Sequence, residues 1–386
     1  QAEQWVLVFK EPVYQAADSL DISATPWELP EGTSWKTTTL DQWRLVASSE
    51  TLLRQSLLGN YVPDESLKTA LKLANPEVGA ALYAPAGLNH PLTYLIGNPI
   101  IAPTTSSNRS WSSFDLRIKG ESLVVEGLEM LSDSLLVPTQ LFREIPNLPL
   151  KSSITIVPAQ SDAWFTFSLQ DPAQFLANQF KLLGKTHDWT TLVENVEQLS
   201  LLEMDGDFAV VLHALHPDGI RGILEPYQSA LPEFQEVPVY TLQQTNMLHD
   251  AFAPLLGQLP EPGYYTRIDH LFVFTPTLEA LQNWISNYKR ENTYFGKETL
   301  APLRAQLISE GSALAVVPTP KKSSLLQDSS FIFGLPPSVL KNIPKNYLFT
   351  AQTNATSPYD FNAFSLMRNT DASGSAASVT LKFSFK

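Results

Sequence analysis

His213 and His216, in the run FAVVLHALHPDG, come nearest in this chain to a metal-binding spacing. Three-residue spacing brings two side chains together on a helix; on a strand it points them to opposite faces. The run is apolar and β-branched and ends in a turn, so a strand and a structural role are expected. Asp205 and Asp207, in MDGDF, offer carboxylates for calcium. The third acid and the closing Glu of an EF-hand loop are absent, and Asp-Gly-Asp reads as a turn leading into a strand. A Ser–His–Asp set need not be close in the chain, yet there is no Gly-x-Ser-x-Gly elbow. Gly374 and Ser375, in DASGSAAS, read as a flexible connection. No dinucleotide fingerprint or Walker loop is present, so nucleotide binding has no support. No catalytic residue, metal ligand or cofactor is expected.

The aromatics are the other candidates. Trp111, Tyr264, Tyr265, Trp284, Tyr288, Tyr294 and Phe295 fall in or beside expected loops and helix ends. Stacked on a surface, such rings bind a sugar or a protein partner; buried, they are core. Most are expected to be core, with Tyr294–Phe295 the exposed pair. The binding residues expected are Tyr294, Phe295, Tyr264 and Tyr265, and the partner is a protein or a glycan.

The bulk properties narrow the partner. The chain has 386 residues, 44% hydrophobic and 17% charged, which is an ordinary globular balance. Its net charge of −13 and pI near 4.9 oppose nucleic-acid backbones and anionic lipid surfaces. The basic pair Lys321–Lys322 reads as a solvated loop. Without cysteine there are no disulfides, thiolate nucleophiles or Cys-ligated metals. No stretch of 18 apolar residues is present to span a bilayer. The first residue is Gln1, which a removed signal peptide or a lipid-anchored leader explains; a tag-cleaved cytosolic chain is the alternative.

The elements that must position these residues carry an internal echo. Asp269 to Ile285 (DHLFVFTPTLEALQNWI) reads as strand, turn and amphipathic helix, and Asp41 to Leu57 (DQWRLVASSETLLRQSL) repeats it 228 residues earlier. Further matches join Phe9–Tyr14 to Phe234–Tyr240, Val78–Tyr83 to Glu310–Ala315, and Phe114–Ile118 to Phe364–Arg368. Their offsets rise along the chain, as insertions in the later copy would make them. Residues 1–140 are thus expected to be a first, partial copy and 141–386 a second, longer one. The first copy lacks a counterpart to 141–233, which either lies upstream of Gln1 or was never there.

Strands are expected at Trp5–Phe9, Trp43–Ala47, Val78–Tyr83, Phe114–Ile118, Leu123–Leu128, Ile154–Val157, Trp164–Leu169, Phe208–Leu215, Tyr264–Thr275, Ala313–Val317, Tyr347–Gln352, Phe361–Arg368 and Val379–Phe385. Helices are expected at 64–73, from Asp171–Pro172 to Gly184 with an apolar stripe of Phe175, Leu176, Phe180 and Leu183, at Trp189–Leu199, at Leu278–Tyr288 and at Thr299–Ile308. The fold class is α+β: antiparallel sheets with helix pairs packed on one face, internally duplicated.

The segments VASSETLLRQSL…LKTALKL…GAALY and VFTPTLEALQNWI…LAPLRAQL…SALAVV carry a further pattern. It resembles a family of uncharacterised, Bacteroidota-type bacterial envelope proteins known only as a domain of unknown function. The resemblance covers most of the chain, most clearly 268–317. It implies export, to the periplasm or cell surface, and an α+β fold, and supplies no catalytic residues. The function expected is a non-enzymatic exported envelope protein that binds or scaffolds. The alternatives are a hydrolase or glycan-processing enzyme with a loop-built site, and a spacer within a longer protein.

Overall fold

The structure, a computed structural model, describes residues 155–294 apart from 187, 254 and 257–258, together with 141–146 and 311–317. Outside these it describes strands in 6–130 and 347–368 and the helical positions 50, 51, 54 and 68. The expected helices at 64–73 and 299–308, apart from Lys68, and the strand at 379–385 lie outside the described residues.

Sixteen strands are described. β1 (Val6–Lys10), β2 (Lys36–Leu40) and β3 (Trp43–Ala47) form a three-stranded sheet in the order β1-β3-β2. The others are β4 (Ala80–Pro85), β5 (Trp111–Lys119), β6 (Ser122–Met130), β7 (Ala163–Ser168), β8 (Val196–Met204), β9 (Asp207–Ala214), β10 (Gln228–Phe234), β11 (Val237–Leu242), β12 (Tyr264–Ile268), β13 (Leu271–Thr275), β14 (Ala313–Val317), β15 (Tyr347–Thr356) and β16 (Tyr359–Arg368). They form one antiparallel sheet in the order β10-β11-β12-β13-β9-β8-β7-β14-β15-β16-β6-β5-β4. Five α-helices are described over their whole length: α1 (Pro172–Leu183), α2 (Thr190–Glu194), α3 (Pro217–Leu224), α4 (Met247–Ala251) and α5 (Leu278–Lys289); a 3-10 turn, Glu225–Tyr227, follows α3. This is an antiparallel α+β architecture.

Helices lie on both faces of the sheet, where the sequence pattern led us to expect one. Phe165, Phe167, Leu199, Leu201 and Leu212 point to a core completed by Phe175 of α1, Leu192 of α2, Ile220 of α3 and Leu248 of α4. Their strand neighbours Trp164, Leu202, Val211 and Val273 point the other way, onto Leu281, Trp284 and Ile285 of α5. All six residues of β7 are therefore buried.

Local chemistry sets the ends of α1. The Asp171 carboxylate accepts from the Gln174 N–H at 2.9 Å, Pro172 opens the helix, and Gly184 closes it at φ 68°. The buried face differs from the expected stripe. Gln179 is 2% exposed and Phe180 is 54% exposed. The Gln179 amide donates to the carbonyls of Ala251 and Ala253 at 3.1 and 2.5 Å. Those carbonyls lie at and beyond the end of α4, where helical partners run out, so a polar residue takes the inward position.

The helix expected at Trp189–Leu199 is only Thr190–Glu194, and Val196 already begins β8. The Asn195 carbonyl accepts the Leu215 N–H at 2.8 Å and the His216 N–H at 3.3 Å. These bonds draw the chain into the sheet, and Gly219 lies so close that a Cβ there would sit 2.2 Å from the Asn195 side chain. Ile154–Val157 is not a strand where described; Pro158 makes only an isolated bridge to Thr293.

The β10–β11 hairpin turns on Gln235 and Glu236, at φ 49° and 63°. The left-handed region disfavours residues with a Cβ. A contact holds the tip down: Gln235 Nε2 donates to Ser286 Oγ of α5 at 2.9 Å. Glu236→Gly removes the Cβ penalty and keeps that contact. It is expected to stabilise the protein by about 1 kcal/mol, read as a raised urea midpoint at unchanged m-value.

Candidate functional site

The densest buried polar cluster lies on the α5 face of β7, β8 and β9. Alternation puts Thr166 and Ser168 on the face of Trp164, Gln198 and Ser200 on that of Leu202, and His213 on that of Val211. All five are buried, from 0% exposed for Thr166 to 7% for His213. Thr166 Oγ1 and Ser200 Oγ are 3.2 Å apart. The Gln198 amide nitrogen lies 3.0 Å from His213 Nε2, and Ser200 Oγ lies 3.4 Å from it. Ser168 Oγ donates to the Pro146 carbonyl at 3.0 Å.

A histidine beside a serine is the start of a nucleophilic pair. The electrostatics argue against that use. Burial, and secondarily the electrostatic effect of the neighbouring His270, lower the pKa of His213 from 6.5 to about 3. A base this weak holds a proton poorly near neutral pH. With Gln198 donating, Nε2 is the unprotonated ring nitrogen, and its single lone pair already serves the shorter amide contact. Among the described residues no carboxylate bonds the ring, so the orienting acid of a triad is not provided. The arrangement reads as a satisfied buried network, the usual condition for polar groups in a core.

The other candidates separate. His213 lies in β9, whereas His216 precedes α3; the His213 ring faces that of His270, centroids 6.2 Å apart. Asp205 and Gly206, at φ 52° and 86°, form the β8–β9 turn. The Asp205 N–H donates to the buried Asp162 carboxylate at 3.0 Å. Among the described residues no group of three or more His, Asp or Glu could hold a metal ion. No described helix is long and apolar enough to cross a membrane.

The expected exposed pair is corrected at Tyr294. It is 5% exposed, packs against Trp164 with ring centroids 4.7 Å apart and the planes tilted by 42°, and donates its hydroxyl to the Ser161 carbonyl at 3.0 Å. The reason is the Pro158–Thr293 bridge, which draws the segment after α5 onto β7. Phe295 lies outside the described residues. Tyr265 is also core: 3% exposed, between Tyr240 and Phe274 at 5.0 and 5.3 Å, with its hydroxyl donating to Gln228 Oε1. Burial, then Tyr240 and Glu225, push its pKa above the usual phenol range. Tyr264 alone of the three described is half-buried. Trp284 is buried against Tyr288, centroids 5.0 Å apart, and Trp111 opens β5.

A cavity of about 10 Å³ lies under α5, lined in part by Ser161, Leu202, Phe208 and Trp284. It has the volume of a single water and no more. Trp284 Nε1 and Ser161 Oγ are buried without a protein partner.

Sequence reading missed Gln198 and Ser200. They alternate with Leu199 and Leu201 at period two, a signal cut in half by ending the expected helix Trp189–Leu199 inside that run. Comparison with known proteins adds no relative: no family model, no curated protein and no solved structure matches the chain.

His213 makes the fold acid-sensitive. Its pKa is lower folded than unfolded, so the unfolded chain binds the proton first as pH falls. Its contribution is constant above about pH 6.5 and declines between 6.5 and about 3. The loss approaches about 1.4 kcal/mol per pH unit within that window. Urea midpoints measured from pH 7 to 4 are expected to fall more steeply for the wild type than for His213→Gln; parallel curves would refute this.

Proposed function

We propose that this chain is a non-enzymatic exported envelope protein, of the periplasm or cell surface, with a binding or scaffolding role. The observation that carries this reading is the state of His213. Among the described residues, the buried histidine beside a serine is driven to a pKa of about 3 and held in a closed hydrogen-bond network, which fits a structural role better than a catalytic one. The acidic balance, −13, fits a partner other than nucleic acid. The likeness to uncharacterised Bacteroidota-type envelope proteins supports the compartment. A protein or a glycan is the partner proposed, with Tyr264 the one described aromatic of the proposed set open to it.

We also infer that the chain is internally duplicated. Four agreements of register support it. β2–β3 pairs Lys36 with Ala47, and β12–β13 pairs Tyr264 with Thr275, both residues 228 positions later. Glu50 is a described helical position, and its equivalent at the same offset, Leu278, lies in α5. On the outer side of each hairpin, β1 lays Val8 against Leu45 and β9 lays Val211 against Val273. Finally, β5–β6 closes on Lys119 with Ser122 and β15–β16 on Thr356 with Tyr359, 237 positions on. Strand order favours β1 with β9, and β5 with β15, over the sequence matches of Phe9 to Phe234 and Phe114 to Phe364.

The Ser200–His213 contact favours the rival hydrolase reading, and one experiment separates the two. The tagged protein is lightly cross-linked in native envelopes, recovered and analysed by mass spectrometry, alongside Ser200→Ala. A stoichiometric partner retained by Ser200→Ala is the expected outcome. Recovery without a partner, joined to a hydrolytic activity that Ser200→Ala abolishes, would establish the rival.

A further inference from the structure

The small cavity under α5 has mostly apolar walls. Leu202 of β8 and Ala209 of β9 face it from the sheet, and Ala280 and Trp284 face it from the helix. Ser161, from the turn before β7, completes the buried part of the lining. In such surroundings a polar group is costly unless it is hydrogen-bonded. Two are present. Trp284 Nε1 and Ser161 Oγ are both buried and neither has a protein partner. The rest of Ser161 is satisfied: its N–H donates to the Pro158 carbonyl at 3.0 Å, and its carbonyl accepts the Tyr294 hydroxyl at 3.0 Å. The hydroxyl is the one group of Ser161 left to pair.

We propose that this cavity is a hydration site, in which one resident water accepts from the Trp284 indole N–H and bonds the Ser161 hydroxyl. Size sets the upper limit, since about 10 Å³ admits a single water and nothing larger. Chemistry then selects among ligands of one heavy atom. The indole nitrogen is a donor only and cannot face a metal cation. The negative charge of Asp207, another lining residue, opposes a halide. Water both accepts and donates, which a donor-only indole and a hydroxyl together require. Two protein partners fall within the range of about two to four usual for a buried water. The water ties Ser161 to the middle of α5, while Tyr294 ties it to the segment that leaves the helix. Both are thereby fastened to the turn that precedes β7.

Two measurements test the site. A crystal structure of the unsubstituted protein is expected to show one isolated density peak about 2.7–3.2 Å from both Trp284 Nε1 and Ser161 Oγ. An empty cavity, or a direct bond between the two side chains, would overturn the proposal. In solution, a double-mutant cycle takes Ser161→Ala, Trp284→Phe and the two combined, with folding constants from urea unfolding. Ser161→Ala alone is expected to lower the folding constant about fivefold to tenfold, because the water loses a partner. Groups that share one water are not independent. The double variant is therefore expected to keep a folding constant at least about threefold above the product of the two single effects. The packing change that Trp284→Phe brings occurs in both arms of the cycle and cancels. Strict additivity would overturn the proposal.

Discussion

The constraint on which the rest depends is the burial of β7, β8 and β9 on both faces. A strand covered from two sides cannot leave polar side chains to water, so each must find a protein partner. On the side of α1–α4 the sequence avoids the problem with Phe165, Phe167, Leu199, Leu201 and Leu212. On the side of α5 it does so only partway along. Trp164, Leu202 and Val211 pack beneath the helix, while Thr166, Gln198, Ser200 and His213 continue the same face as a hydrogen-bonded row. That division explains why the histidine is neutral. A charge there would lose its water and face no carboxylate among the described residues. The burial that makes the row structural thus removes the basicity that chemistry would require.

The same double burial governs how far the sequence could be read. Elements announced by local chemistry were legible: the Asp171–Pro172 start and Gly184 stop of α1, the Asp205–Gly206 turn, and α5 opening behind Thr277, whose hydroxyl caps the Ala280 N–H at 3.1 Å. Elements decided by distant partners were not. β8 looks helical in isolation because leucines at 192, 199, 201 and 202 satisfy either period over a short run. What selects the strand is the pairing with β7 and β9. Gln179 and Phe180 exchange their expected places because the orphan carbonyls belong to α4, 72 residues away. Tyr294 follows the same logic. The residues before it, Arg290 to Thr293, are polar, and the bridge of Thr293 to Pro158 brings it against Trp164. The candidate site was therefore half visible: His213 on a strand, without the residues that define its state.

The manner in which the two proposed units meet carries the argument one step further. β6 and β16 are antiparallel neighbours, and Glu126 lies opposite Ala363. These are equivalent positions at the offset of 237 set by the hairpins. On the duplicated-unit reading, the contact has the self-complementary geometry of a two-fold dimer interface, made within one polypeptide. Such a junction uses the same edge of both units, so neither keeps it for outside pairing. The other end of the sheet is β10, and its sequence blunts it: Pro232 lacks a donor, Glu233 is exposed, and the ladder to β11 slips between Leu231 and Phe234. β4 has no comparable break in its ladder, since all six of its residues pair in register with β5. A continuous ladder is what a strand needs to serve as a template. Within this sheet, protection of β10 is local and written in its own residues, whereas the described residues of β4 carry no such break.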